Sequence, residues 1–264
     1  MLLAVDVGNT LIKLGAFSGD ALQGSWRLST PAARTPDELG LTLELLFNHH
    51  LHLEKPLEGV VVSSVVPRLN ESLHYAFSRY FDQQPVFLKW NSGVVHLEVD
   101  DPTTVGPDRI ADCLAGHCLF GGPLLTVNFG TASTFNLVSK EGAFLGGAIA
   151  PEMSASFQAL VRSTALLPEV ELNLPSSVIG RNTADNLQAG MVLGFLALVD
   201  GLIGRFRQEF SQPLKVVATG GRGAFFKEHL NCIETYEPYL TLHGLRLAWE
   251  KLQGSGSKRP RKKP

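Results

Sequence analysis

V127-N128-F129-G130-T131-A132-S133-T134-F135-N136 is a β-rich run that enters a Gly-Thr turn and leaves it as a second β-rich run. Apolar segments broken by one tight glycine turn read as strand, turn, strand. The chain opens on a similar stretch, with Leu2 to Val5 apolar, then D6-V7-G8-N9-T10, then Leu11 to Phe17. Two copies of one unit within 264 residues point to a duplicated architecture. The copies differ in one respect: the first carries an acid at Asp6 and the second an amide at Asn128.

Working outward from these two hairpins, the pattern alternates. Ala21 to Leu28 adds a strand. Pro36 with Asp37 and Glu38 starts a helix carrying Leu39, Leu43 and Leu46, and Gly59 to Val65 is a buried-type strand. Pro67 opens a helix with Leu69, Leu73, Phe77 and Phe81 at helical spacing, Val86 to Leu88 is a short strand, and Gly106-Pro107-Asp108-Arg109 leads into a helix ended by Gly121-Gly122-Pro123. After the second hairpin come a strand from Ala143 to Ile149, a helix from Met153 to Leu166, and a long helix from about Thr183 to Phe210. A strand from Lys215, the turn Thr219-Gly220-Gly221, a helix, a strand and a last helix ending near Leu252 follow. This alternation predicts an α/β fold. The expected domains are residues 1–118 and 119–252, with 253–264 a flexible basic extension whose Lys and Arg residues read as solvated.

The composition limits the partners. Hydrophobic residues make up 44% and charged residues 18%, as in an ordinary globular protein, and a net charge of -2 offers no general attraction to nucleic acid or to an anionic membrane. Cys113, Cys118 and Cys232 match no zinc or CxxC spacing and read as reduced thiols of a cytoplasmic protein. The start of the chain reaches Asp6 without a basic lead, which argues against a signal peptide. The longest apolar candidate, Met191 to Gly204, contains Asp200 and is shorter than the ~20 residues of a spanning helix, so no membrane span is expected.

The chemistry gathers at the glycine turns. Glycine lets backbone N–H groups approach a phosphate chain closely, and Gly8-Asn9-Thr10 and Gly130-Thr131-Ala132 both fit that use. An acid at a strand end, as Asp6 is, can hold magnesium through water, because that ion keeps most of its hydration and binds one or two carboxylates plus phosphates. Thr10, Thr131 and Thr134 add hydroxyls, and Lys13 can direct a charge at a phosphate oxygen. Gly106-Pro107-Asp108-Arg109 sets an acid and a guanidinium side by side at a helix start, where free N–H groups favour an anion. Each element alone also fits a plain hairpin or a plain acidic cap.

Taken together, the paired loops resemble those of the actin-like superfamily, which implies a ribonuclease H-like, duplicated two-domain fold with a nucleotide cleft between the halves. The ordered set is narrower still. D6-V-G-N-T, G106-P-D-R, G130-T-A-S-T, G146-G-A-I-A-P, I179-G-R-N-T with Gly190, and T219-G-G resemble the type III pantothenate kinases over Leu2 to about Leu252. The resemblance implies ATP-dependent phosphorylation of pantothenate to 4'-phosphopantothenate, the first step of coenzyme A biosynthesis. It implies that Asp6, Val7, Gly8, Asn9, Thr10, Leu11, Ile12, Lys13 and Thr131 bind ATP with magnesium at Asp6. Gly106, Pro107, Asp108 and Arg109 then contact pantothenate, with Asp108 as the base, and Thr183 reaches the substrate from the neighbouring subunit of a homodimer.

The departures from that family lie in the second hairpin. The family commonly has aspartate at the positions of Asn128 and Asn136, and the resemblance implies a monovalent cation, potassium or ammonium, at the first. An amide oxygen supplies no net charge, and at ~3 Å and an effective dielectric of ~20 the lost attraction is a few kcal/mol before solvent compensates. Cation affinity is therefore expected to fall. Glu152 stands where the family commonly has glycine after Pro151. The two amides and the basic tail leave a different reading open, a catalytically weakened relative acting as a binding or accessory regulatory protein.

Overall fold

The computed structural model describes residues 1–30, 34–50 and 57–256. The first half runs β1 (Leu2–Val7), β2 (Leu11–Ser18), β3 (Ala21–Ser29), α1 (Pro36–His50), β4 (Gly59–Ser64), α2 (Pro67–Phe81), β5 (Val86–Phe87) and α3 (Pro107–Phe120). The second runs β6 (Leu124–Phe129), β7 (Ala132–Val138), β8 (Phe144–Pro151), α4 (Met153–Arg162), α5 (Thr183–Gln188), a π turn at Ala189–Leu193, and α6 (Gly194–Glu209). It closes with β9 (Lys215–Gly220), α7 (Gly223–His229), β10 (Thr235–Tyr236) and α8 (Leu240–Gly256).

The sheets repeat one order, β3-β2-β1-β4-β5 and β10-β9-β6-β7-β8. In each, the first strand pairs antiparallel with its hairpin partner and parallel with the fourth strand. The duplication extends to single hydrogen bonds. Val65 N–H, just past β4, donates to Val7 O at 3.0 Å, and Gly221 N–H, just past β9, donates to Phe129 O at 3.1 Å. Each half buries its own core. Leu3, Val5, Val7, Ile12 and Leu14 meet Leu39, Leu43, Leu69, Leu73 and Phe77 of α1 and α2 in the first. Val127, Phe129 and Phe135 meet Val192, Phe195, Val199, Ile203 and Phe226 in the second.

The compact units do not follow a linear cut. One comprises Met1–Gly121, Glu141–Gly146 and Tyr239–Pro264, the other Gly122–Lys140 and Gly147–Pro238. The domain expected over 119–252 therefore loses its last helix to the first unit, and the reason is packing. Gly244 of α8 lies so close to the Ala111 carbonyl of α3 that a Cβ there would collide with backbone, and Thr241 bonds Asp112. Two helices approach this closely only where one presents no side chain.

Three local expectations change. Helix α4 ends at Arg162 rather than Leu166, because the Ser163 and Thr164 hydroxyls take the carbonyls of its last turn. Helix α8 continues to Gly256, so 253–256 of the expected tail are helical, and 257–264 lie outside the described residues. The run Thr183–Glu209 is 27 residues of continuous helix, long and apolar enough by length and composition to cross a membrane. The shorter apolar run read from sequence did not anticipate this, but Val192, Phe195, Val199 and Ile203 pack into the second core.

The close contact of α3 and α8 sets a stability test. Gly244→Ala gains about 1 kcal/mol of helix propensity but adds a methyl group against backbone that cannot swing aside. Overpacking of this kind costs about 1–3 kcal/mol, so the expected net result in urea unfolding is a lower midpoint. An unchanged or raised midpoint would show that α3 and α8 separate freely.

Candidate functional site

In the first unit, the hairpin register sets Asp6 of β1 opposite Lys13 of β2, and the parallel register sets it beside Ser63 of β4. Lys13 Nζ lies 3.4 Å from Asp6 Oδ2, the carboxylate being nearly buried and the ammonium partly exposed. The intervening turn is a clip. Gly8 N–H donates to Leu11 O at 3.0 Å, Thr30 Oγ1 donates to Gly8 O at 2.7 Å, and Thr30 N–H donates to Thr10 O at 2.9 Å. The Gly8 N–H is thus committed to closing the turn. Of the stretch from Asp6 to Lys13, Val7 and Ile12 send their side chains into the core, while Asn9, Thr10 and Leu11 are exposed.

Helix α3 brings its first turn to the same end of the sheet. Gly106 is the N-cap in extended conformation, with Pro107 after it as a preset first residue. A Cβ at Gly106 would strike Asp108 Oδ1 and come within 3.7 Å of Val65 Cγ1, so this glycine lets the Asp108 carboxyl fold back over the helix start beside the end of β4. Burial pushes the Asp108 carboxyl above its ordinary value and the Asp6 charge pushes it further, against smaller opposing effects from the Arg109 backbone N–H and guanidinium. Two carboxyl groups therefore share one poorly solvated corner. Asp108 is the one made more basic, the condition that suits a group taking a proton from a hydroxyl.

Arg109 extends from the same turn, its guanidinium carbon 5.0 Å from the centroid of the Phe144 ring. Phe144 is 1% exposed, and its backbone is held by Phe144 N–H to His96 O and Glu98 N–H to Phe144 O, both 2.9 Å. Sequence reasoning missed Phe144, His96 and Glu98 because they sit far from Arg109 in the chain and carry no motif.

In the second unit, Asn128 takes the place that Asp6 has in the first. It pairs with Thr134 across the hairpin and with Thr219 of β9. An aspartate–lysine ion pair in one hairpin is an amide facing a hydroxyl residue in the other. Asn136, fully buried, donates from Nδ2 to Thr126 Oγ1 at 3.2 Å. Gly130 N–H closes its turn onto Ala132 O at 3.2 Å, and Thr131 is exposed at the tip. Glu152, unexpected from the family pattern, is the N-cap of α4. Its carboxylate accepts from Ser154 N–H at 2.7 Å and Ala155 N–H at 3.1 Å and pairs with Arg222 Nε at 2.9 Å, just past the Thr219-Gly220-Gly221 turn. Thr183 is exposed in the first turn of α5, after Asn182 as N-cap.

The site residues thus fall in two sets: Asp6, Gly8, Asn9, Thr10, Lys13, Gly106, Pro107, Asp108 and Arg109 in the first unit, and Asn128, Thr131 and Thr183 in the second. Among the described residues no three His, Cys, Asp or Glu side chains form a metal cage. A single buried carboxylate, Asp6, fits magnesium, whose other ligands are water and phosphate. A monovalent cation fits less well, since no ionisable side chain occurs from Leu124 to Ser139.

The fold of the activator of 2-hydroxyisocaproyl-CoA dehydratase from Clostridium difficile matches with a TM-score of 0.53 at 12% identity, over 100% of this chain and 99% of that one. The fold is thus actin-like. In sequence, the type III pantothenate kinase of Moorella thermoacetica is 41% identical over 95% of this chain and 99% of its own length. That of Myxococcus xanthus is 41% identical over 97% and 100%. With the model of that family matching residues 2–205 as well, the chain belongs to the type III pantothenate kinases.

Proposed function

We propose that this protein transfers the γ-phosphoryl group of ATP to the primary hydroxyl of pantothenate, giving 4'-phosphopantothenate in coenzyme A biosynthesis. The observation that carries this reading is the corner of the first unit where Asp108, held basic by burial, stands beside Asp6 and next to Arg109. Phosphoryl transfer needs positioning and charge stabilisation more than covalent chemistry, and these residues supply it. Asp108 takes the hydroxyl proton as the oxygen attacks. Arg109 and the start of α3 hold the carboxylate of pantothenate. Lys13 and the backbone and side chains of Asn9 and Thr10 face the phosphates, with Gly8 allowing close approach and Thr131 contacting ATP from its own loop. Asp6 holds magnesium through water; when bound, that ion neutralises charge on the phosphate oxygens. All these groups are intact, which favours an enzyme over an accessory regulatory protein.

A homodimer belongs to the proposal. Gly190, Gly194 and Gly201 lie exposed along one continuous helix, and a Cβ at any of them would meet nothing within 4 Å. In the same unit Leu166, Val178 and Ile179 are 92%, 71% and 76% exposed. A second copy of the chain accounts for this apolar surface, and Thr183 reaches the partner's substrate from it. Neither nucleic acid nor a membrane is a partner in this reading, and the protein is cytoplasmic.

The direct test is formation of 4'-phosphopantothenate from pantothenate and ATP with magnesium. Asp108→Asn is expected to lower kcat by about 10²–10⁴, the usual worth of a general base. The same variant has a stability signature. A carboxyl raised in the folded state favours its protonated form there, so ionised Asp108 costs stability. That cost is absent below about pH 4 and grows as pH rises through the raised value. Asp108→Asn is therefore expected to melt above the parent at pH 7, the gap closing as pH is lowered. Equal melting temperatures at pH 7 would contradict the shared-corner account.

The second hairpin sets a separate expectation. With Asn128 and Asn136 in place of carboxylates, turnover is expected to be the same within about twofold in sodium and in potassium, since no net charge is available to hold the ion. Asn128→Asp is expected to introduce potassium activation. Strong potassium activation of the unmodified protein would overturn this assignment.

A further inference from the structure

Residues of β1 and β4 alternate between the two faces of the first sheet. Leu3, Val5 and Val7 of β1 and Val60 and Val62 of β4 pack into the core with α1 and α2, so Asp6 and Ser63 fall on the opposite face, over which α3 and α8 lie. The parallel register makes Asp6 and Ser63 direct neighbours. Just beyond them, the bond from Val65 N–H to Val7 O fastens the two strand ends together. Ser63 thus shares with Asp6 both its face and its level in the sheet.

Ser63 is fully buried, and among the described residues its Oγ has no hydrogen-bond partner. The adjacent Ser64 differs: its hydroxyl accepts from Val66 N–H at 3.2 Å and donates to Val66 O at 3.4 Å. A buried hydroxyl left unmatched costs free energy, and one kept beside a functional carboxylate calls for a partner that arrives with the ligand. The carboxylate needs one too. Asp6 faces Lys13 Nζ at 3.4 Å, and Lys13 is the group that the proposed function turns toward phosphate. A water bound to magnesium has its oxygen on the ion and two protons to give, so its neighbours must be acceptors. A carboxylate is one, and a serine oxygen with its lone pairs unused is another. Two polar groups set side by side without a bond between them are also where a single water can touch both.

We infer that Ser63 belongs to the magnesium site, its Oγ accepting a hydrogen bond from a water of the ion's hydration shell that Asp6 also holds. The first unit then presents a carboxylate and a hydroxyl, one from each of two parallel strands, instead of a single acid. Ser63 takes no part in proton transfer, which stays with Asp108. This inference rests on the reading of Asp6 given above.

Calorimetric titration of the full chain with the non-hydrolysable imido analogue of ATP, in magnesium and again in EDTA, gives the gain in affinity due to the metal. Ser63→Ala removes only the hydroxyl. It is expected to reduce that gain about fivefold, the worth of one hydrogen bond, and to leave the affinity in EDTA within about twofold of the parent. Because the hydroxyl has no partner in the free protein, the unliganded variant is expected to melt at or above the parent temperature. Asp6→Asn is expected to remove most of the gain. If Asp6→Asn keeps the parent's gain, or the parent shows none, the reading of Asp6 fails. If Asp6→Asn loses the gain while Ser63→Ala keeps it within about twofold, the inference on Ser63 alone is overturned. A clearly lower melting temperature of unliganded Ser63→Ala assigns the hydroxyl to the fold and overturns it too.

Discussion

Asp6 and Asp108 repel one another across the carboxyl end of the first sheet, and much of the local architecture keeps both there in spite of it. Neither position is dictated by the core, since a buried carboxyl group is the least favourable neighbour for another. Asp6 is tolerated because the hairpin register delivers Lys13 to its side at 3.4 Å. Asp108 is tolerated because Gly106 leaves room for its carboxyl to turn back onto the backbone N–H groups of its own helix start. Asp6 is left facing a cation, while burial and the Asp6 charge raise the affinity of the Asp108 carboxyl for a proton.

The duplicated half shows what the same backbone does when that demand is absent. Its first strand and parallel neighbour repeat those of the first unit in register, with a hairpin turn one residue shorter, yet the two positions that carry Asp6 and Lys13 carry Asn128 and Thr134. The backbone geometry therefore does not require the charges. What both units retain is the glycine turn, in which the glycine N–H closes the hairpin and the exposed residues at the tip are Asn9 and Thr10 in one and Thr131 in the other. A loop that is already hydrogen-bonded before any ligand arrives loses little freedom on binding.

Much of this was legible in the sequence because it is local. Strand-turn-strand units announce themselves by apolar runs around glycine, and helix starts by Pro36, Pro67 and Pro107, so the elements of the first half fall within a residue or two of expectation. The repeat of the hairpin motif was enough to predict duplication, and the ordered glycine, aspartate and threonine segments were enough to predict the family. What escaped was every feature created by segments distant in the chain. The docking of α8 on α3 depends on Gly244 lacking a side chain opposite Ala111, and a lone glycine in a helix carries no signal of that kind. Phe144 beside Arg109 and Thr241 on Asp112 were invisible for the same reason. Helix α4 was drawn too long because the composition of Ser163 and Thr164 is compatible with helix, and only their hydrogen bonds to the preceding carbonyls reveal a stop.

Glu152 illustrates how a departure from a family pattern can be absorbed without cost. A glycine at that place leaves the N–H groups at the start of α4 to be satisfied by something else. Glutamate satisfies two of them with its own carboxylate and, in the same position, meets the guanidinium of Arg222 at the end of the Thr219-Gly220-Gly221 turn. The charge introduced is thus answered twice, by the positive end of the helix and by a cation, and Arg222 also donates to Ser154 in the same helix turn. The glycine turn after β9 is tied to β6 through Gly221 and to α4 through Arg222, so it has fewer ways to move than its two glycines alone would suggest. In this chain, the glycine turn of the second unit is held by an ion pair at a helix start.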